Sequence, residues 1–391
     1  MDQRTRDLVA AFRATYQTEP TAAVRAPGRV NLIGEHTDYN DGFCLPMAIE
    51  RDVRVVLRPR SDATVRVFSL QEPGRPPVAF TLDGAIPKAV TPADRWADYV
   101  KGSAQVLGGT VALRGCDLAL TGDVPLGSGL SSSAALEVAT IRALLAAAGL
   151  SLDPVVIAKL AQRAENSYVG TNCGILDQLS SSCATLGQAM LMDCRSLALT
   201  PAPLPAGVAV VIADTGKRRG LVDSAYNERR AQCEAGAKAL GVSHLRDATL
   251  HGLWQAAKAG RLDALALARC QHVVAENGRT QAAFACLRAG DAEALGQLMD
   301  QSHADLRDRF EVTCPELDDL VAIARSLPGC LGSRMTGAGF GGCTVSLVSL
   351  PAVAGFTASL GLKYRQLHPA MTPAIYVTGA AAGAGPLPLA P

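Results

Sequence analysis

The sequence predicts a two-domain protein of mixed strands and helices, on three observations. At 391 residues the chain is too long for one small core and comfortable for two. Its first half moves between segments of alternating polarity and apolar helical stretches, while its second half is mostly helical before a return to strand. Between them, Thr200-Pro-Ala-Pro-Leu-Pro-Ala-Gly207 is a proline-rich stretch that places the domain boundary at about residues 205–206.

Residues 5–16 carry a helical pattern. Val53–Arg58 and Thr64–Leu70 alternate as half-buried antiparallel strands do, with the loop Gln71–Pro77 after them. Cys116–Gly122 alternates again. From Ser131 or Ser132 a helix of Ala, Leu, Val and Ile runs to Gly149, a suitable C-terminal cap. Asp153-Pro154 joins an N-cap to a proline at the first helical position, and that helix runs to about Val169. Another starts near Gly174 with Asp177 in its first turn. Beyond the link come the strand Val208–Ala213, helices over about 222–240, 252–259, 262–276, 280–288, 291–308 and 315–326, and the strand Cys343–Leu350. Gly379–Pro391, rich in Ala, Gly and Pro, reads as a disordered tail (379–391) after a second domain spanning 206–378.

Hydrophobic residues make up 48% and charged ones 19%, so the chain is globular. A net charge of +1 gives no electrostatic case for a nucleic-acid or membrane partner. The 11 cysteines include no Cys-x-x-Cys pair and read as small buried hydrophobes in a reducing compartment. Met-Asp-Gln-Arg-Thr-Arg-Asp at the N-terminus has no apolar signal core, and Glu137 and Arg142 interrupt the apolar run Ala134–Leu150. A soluble cytoplasmic protein, acting as a monomer, is the expectation.

Three stretches carry chemistry. Residues 26–46 pack Arg29, Asn31, Glu35, His36 and Asp38 beside glycines and the apolar Val30, Leu32 and Ile33. Burying such groups unpaired costs several kcal/mol in total. Their mixed donors and acceptors suit a polyhydroxylated ligand, though a polar turn satisfied by its own backbone fits as well. Pro125-Leu-Gly-Ser-Gly-Leu-Ser-Ser-Ser133 joins a strand to a helix. Its glycines and the helix N-terminus suit an anion, but no Lys-Ser/Thr follows, so it is not a P-loop, and a serine-capped helix remains the alternative. Gly337-Ala-Gly-Phe-Gly-Gly342 precedes a strand, which is wrong for a dinucleotide fold; close approach to another loop or to phosphate is the better reading. The Ser132 hydroxyl with the acid Glu165 could hold Mg²⁺, or Glu165 could be a surface glutamate. Asp177 sits among apolar neighbours, which favours function over a simple helix cap.

Taken together, these motifs resemble the GHMP small-molecule kinases, and Gly28–Phe43 resembles the sugar motif of the galactokinase family within them. The likeness extends over about residues 8–370. It implies an α+β fold of two domains, with a left-handed β-α-β unit in the first (1–205) and the active site between them. It further implies ATP-dependent phosphorylation of the C1 hydroxyl of galactose, with ATP and Mg²⁺ required. On that resemblance Asp177 accepts the hydroxyl proton and Arg29 stabilises the transferring phosphoryl group while keeping Asp177 ionised. Glu35, His36, Thr37, Asp38 and Tyr226 would bind the sugar, Asp38 reading the axial C4 hydroxyl. Leu126, Gly127, Ser128, Gly129, Leu130, Ser131 and Ser132 would wrap the triphosphate, with Ser132 and Glu165 on the metal.

Two departures from the family pattern are small. Leu176 stands where methionine is usual, a volume-conserving change. Ser128 replaces a glycine or alanine and would clash only if its φ were positive. A non-enzymatic galactose sensor is disfavoured because Ser131-Ser-Ser-Ala-Ala135 is intact. Sibling enzymes acting on N-acetylgalactosamine, arabinose or mevalonate are the closer rivals, and the Glu35–Asp38 motif argues against mevalonate.

Overall fold

The computed structural model describes residues 1–217 and 222–389, the side chains of 222–224 excepted. The first half comprises α1 (Gln3–Tyr16), β1 (Ala22–Asn31), β2 (Phe43–Cys44), β3 (Pro46–Pro59), β4 (Thr64–Ser69), β5 (Val78–Thr81), α2 (Ala97–Gly108), β6 (Cys116–Gly122), α3 (Ser132–Ala148), α4 (Pro154–Ala164), α5 (Leu176–Cys183), β7 (Gln188–Asp193) and β8 (Leu199–Pro203). The second holds β9 (Val208–Asp214), α6 (Val222–Leu240), α7 (Leu250–Lys258), α8 (Ala264–Ala289), α9 (Ala292–Asp308), α10 (Pro315–Ser326), β10 (Cys330–Thr336), β11 (Cys343–Ser349), α11 (Val353–Leu367), β12 (Ala374–Thr378) and β13 (Gly385–Leu387).

Three sheets organise these elements, in the orders β13-β1-β3-β6-β4-β5, β10-β11-β9-β12 and β2-β7-β8. In the first, β4 and β6 run parallel while the other pairs are antiparallel. Parallel neighbours need a crossover, and the stretch containing α2 supplies it, giving a β-α-β connection. Helix α3 lays Ala135, Val138, Ile141 and Leu144 into a core shared with Val30, Val53 and Val55 of the sheet. That same core continues to Val210 and Ile212 of β9, Val345 and Leu347 of β11, and Leu295 and Met299 of α9. The two halves are therefore joined by apolar packing.

Local signals placed several elements to the residue. Asp153 caps the Val155 amide and Pro154 opens α4, while Gly149 ends α3 in the left-handed region at φ 72°. Other expectations need correction. The expected disordered tail is ordered as far as it is described: Gly385–Leu387 pairs with Ala23–Arg25 of β1, and Ala380 and Ala381 are buried. Backbone pairing carries that segment, so its Ala/Gly/Pro composition gave no signal; Ala390 and Pro391 lie outside the described residues. Much of the proline-rich link is β8, an edge strand, where Pro201 and Pro203 cost no ladder bond to a further neighbour. The break expected after residue 276 is absent. Helix α8 runs straight through Asn277-Gly278, because tertiary bonds outweigh the ~1 kcal/mol helical penalty of one glycine. No disulfide joins any of the 11 cysteines among the described residues. No helix among the described residues is long and apolar enough to cross a membrane.

Candidate active site

The site begins at a bulge in β1. Pairing with β3 shifts between Pro27 and Arg29, and at Gly28 a Cβ would lie 2.7 Å from the Leu130 carbonyl oxygen. Only glycine lets the two segments approach this closely. The Arg29 amide then donates to that carbonyl at 3.1 Å, fixing β1 against the loop that precedes α3.

Buried Arg29 joins three parts of the site. Its Nε and Nη2 lie 2.8 and 2.5 Å from Asp177 Oδ1, and its Nη1 donates to the Gly129 carbonyl at 2.5 Å. Asp177 stands in the first turn of α5 and stays 30% exposed, toward a cavity of about 380 Å³. Glu35, His36, Asp38, Tyr226, Gly127, Gly129, Ser131, Ser132 and Glu165 line the same cavity. The sequence thus brought together residues that lie almost 200 positions apart.

On one wall, Glu35 accepts hydrogen bonds from Asn31 Nδ2 (2.9 Å), the Gly337 amide (2.7 Å), Thr336 Oγ1 (3.2 Å) and Arg334 Nη1 (3.3 Å). This network ties the turn after β1 to the end of β10. His36 has φ 62°, unusual for a side chain with a Cβ. Burial holds its imidazole neutral, with a pKa near 3, and its Nδ1 meets the Tyr39 hydroxyl at 2.9 Å. Among the described residues its buried Nε2 has no hydrogen bond of normal geometry, although the Ala338 backbone is near enough to favour the protonated ring. Tyr226 packs its ring 5.7 Å from that of His36. Asp38 tucks against Gly174, where any Cβ would collide with its carboxylate. Burial, then the charge of Asp177, raises its pKa to about 6. Among the described residues no side chain pairs with it.

On the opposite wall, Gly127 and Gly129 adopt φ 66° and 83°, and Ser131 follows at 62°. The α3 amides open toward the cavity without a side-chain cap, and Ser131 Oγ is buried without a partner among the described residues. Open amides at a helix N-terminus form an anion site. Glu165 begins a wide π turn after α4, a distortion common at functional positions. Burial, then Asp177, raises its pKa to about 7, and Gln178 Nε2 donates to it at 2.7 Å. Ser132 and Glu165 offer hydroxyl and carboxylate oxygens from one wall, a hard donor pair of the size Mg²⁺ takes from protein.

Four expected contacts are not on the cavity wall. Thr37 is wholly buried, its hydroxyl donating to the carbonyls of Gly34 (2.9 Å) and Phe43 (2.7 Å), so it closes the turn rather than touching a sugar. Leu126 points outward at 72% exposure. Leu130 is buried in the core and offers only its carbonyl to Arg29. Ser128 is buried, donates to the Pro125 carbonyl at 2.8 Å and avoids positive φ, so its substitution brings no strain. The glycines of 337–342 settle against other loops, Gly339 against Val312 and Gly341 against Lys217, with Gly337 on Glu35.

Sequence reasoning missed Gln178, Glu137 and Gly174. Glu137, which looked like a polar interruption of an apolar run, is fully buried beside Gln178 and Glu165, and burial raises its pKa strongly. A carboxylate within an otherwise apolar helix was the available signal.

A model of the galactokinase galactose-binding signature matches residues 10–59, and those of the GHMP kinase N-terminal and C-terminal domains match 98–186 and 283–365. A galactokinase from Chloroflexus aggregans is 48% identical over 366 residues, 91% of each chain. The chain belongs to the galactokinase family. It is a kinase that transfers a phosphoryl group to an alcohol. The galactokinase of Chloroflexus aurantiacus is likewise 48% identical, over 90% of each chain. The crystal structure of Lactococcus lactis galactokinase complexed with galactose superimposes with a TM-score of 0.93 at 33% identity, covering 98% of this chain and all of that one. The Methanococcus jannaschii mevalonate kinase, at 16% identity and a TM-score of 0.64 over 92% of this chain and 99% of its own, shares the fold alone. The two-domain GHMP kinase architecture is thereby shared across enzymes of different substrates.

Proposed function

We infer that this galactokinase-family chain transfers the γ-phosphoryl group of ATP to the C1 hydroxyl of α-D-galactose, releasing ADP, in one direct step with Asp177 as base. The Arg29–Asp177 pair carries the reading, because it stands where the sugar-motif wall and the phosphate-loop wall meet. Phosphoryl transfer needs positioning, charge stabilisation and a group to receive the hydroxyl proton. Asp177 is on the wall with a free face toward the cavity. The guanidinium that neutralises it also reaches the Gly129 carbonyl, so one cation serves both the base and the phosphate loop.

Glu35, His36, Asp38 and Tyr226 would bind the sugar. Asp38, with no side-chain partner among the described residues, is suited to accept a hydroxyl, and a carboxylate left unpaired in the cavity would penalise the wrong epimer. The backbone of Gly127–Ser132 would hold the phosphates. Mg²⁺, held by Ser132 and Glu165, would neutralise phosphate charge when bound.

An ATP-consumption assay over galactose, glucose, N-acetylgalactosamine, arabinose and mevalonate tests this reading. Galactose should be strongly preferred, with α-D-galactose 1-phosphate as the product by NMR. Preference for another sugar, or phosphate on a different hydroxyl, would contradict it.

A further inference from the structure

Helix α8 belongs to the second half of the chain, yet it grips the sugar-motif turn of the first half by its backbone. Glu276 Oε1 accepts the Gly34 amide at 3.0 Å, and Asn277 Oδ1 accepts the Phe43 amide at 2.9 Å. His272, held neutral by burial, directs Nε2 to the Glu35 carbonyl at 3.2 Å. None of these three side chains lines the cavity. Their own positions are fixed in turn. Arg279 Nε lies 2.7 Å from Glu276 Oε2, and Ser302 Oγ donates to Oε1 at 2.5 Å. The turn presses so closely on α8 that a Cβ at Gly34 would lie 2.9 Å from Thr280 Oγ1, and one at Gly42 would collide with Asn277 Oδ1.

The bonds to Gly34 and Phe43 bracket the segment that carries Glu35, His36 and Asp38. Within that segment His36 has a left-handed backbone, which persists only where its surroundings over-determine it. We propose that Glu276 and Asn277 are positioning residues for the sugar, fixing both ends of this segment so that its side chains meet the ligand in one arrangement. The proposal rests on the reading that the segment binds the sugar. Among the described residues no hydrogen bond or ion pair joins these three side chains to the phosphate loop or to Asp177, so loss of the clamp should separate sugar affinity from turnover.

Steady-state kinetics of Asn277→Leu and Asn277→Asp test it, with melting temperatures and Asp38→Ala measured alongside. Asn277→Leu leaves the half-buried Phe43 amide without its acceptor, which should raise KM for galactose about tenfold while KM for ATP and kcat change less than about threefold. Asn277→Asp keeps an acceptor oxygen and should restore most of the affinity. Ser302→Ala, a milder change that loosens Glu276, should raise the galactose KM about two- to threefold and answers the question if Asn277→Leu does not fold. A galactose KM unchanged in Asn277→Leu, or in Ser302→Ala should the former not fold, would overturn the proposal. So would equal changes in both KM values and kcat, or failure of Asn277→Asp to restore binding. If Asp38→Ala also leaves the galactose KM unchanged, the sugar reading beneath the proposal fails instead.

Discussion

The two walls that meet at Arg29 are built on opposite plans. In the turn after β1, polar groups are largely satisfied within the protein. Glu35 has four donors, Thr37 bonds two carbonyls, and Asn40 Nδ2 donates to the His36 carbonyl at 3.0 Å. In the loop before α3 the reverse holds. Glycines turn the chain, Leu126 faces solvent, and among the described residues Ser131 lacks a partner and the first α3 amides have no side-chain cap. A neutral sugar offers only modest hydrogen bonds, so its wall gains from being rigid beforehand. A triphosphate brings charge of its own and can complete an unfinished set of donors.

The largest effect should come from the group that both walls face. Asp177→Asn should lower kcat by roughly 10²–10⁴ with the fold intact, as loss of a general base does. Near-normal turnover would remove Asp177 from that role. Next, Asp38→Ala should shrink the galactose-to-glucose ratio of kcat/KM by about 10²-fold, since on the proposed reading it removes an acceptor that only one epimer would satisfy. An unchanged ratio would place epimer recognition elsewhere on the sugar wall.

On the phosphate wall, Ser132→Ala should raise the Mg²⁺ concentration needed for half-maximal rate by about tenfold, with the galactose KM unmoved. An equal shift in the galactose KM would blur the division of labour between the walls.

The smallest effect concerns stability. The native pKa of Asp38, raised to about 6 from an ordinary 3.8, means that the folded protein holds this proton more tightly than the unfolded chain. The stability it contributes is present below about pH 4 and lost as pH rises through about 6. Asp38→Asn should therefore stabilise the protein by about 1–2 kcal/mol at pH 7.5, the gain growing between about pH 4 and 6 and then levelling. Thermal melts across that range check it, and a gain that shrank with rising pH would contradict the assignment.

The same contrast explains what the sequence disclosed. Chemistry-bearing side chains announced themselves: Arg29, Asp38 and Asp177 are polar groups in apolar company, and the glycines of the phosphate loop mark the positive φ that loop requires. Orientation did not. Thr37, Leu126 and Leu130 sit within the right motifs, yet a motif does not say which face its members present. Partners far along the chain were equally hidden. Asn277-Gly278 looked like a helix break because local propensity cannot show that Asn277 binds the Phe43 amide. The tail looked disordered because β13 is held by backbone pairing with β1, which leaves no periodic side-chain trace. Glu137 was passed over because a charge in a helix ordinarily marks its wet face, and here burial and Gln178 surround it.

Hydrogen exchange of the backbone amides, read residue by residue without ligand, with galactose and with Mg²⁺ and a non-hydrolysable ATP analogue, tests the contrast most directly. The Gly34 and Phe43 amides should be protected already in the free protein and gain little from galactose, while amides across Gly127–Ser133 should exchange fast until nucleotide binds. Rapid exchange at Gly34 and Phe43 before galactose, or a phosphate loop protected without nucleotide, would contradict the account.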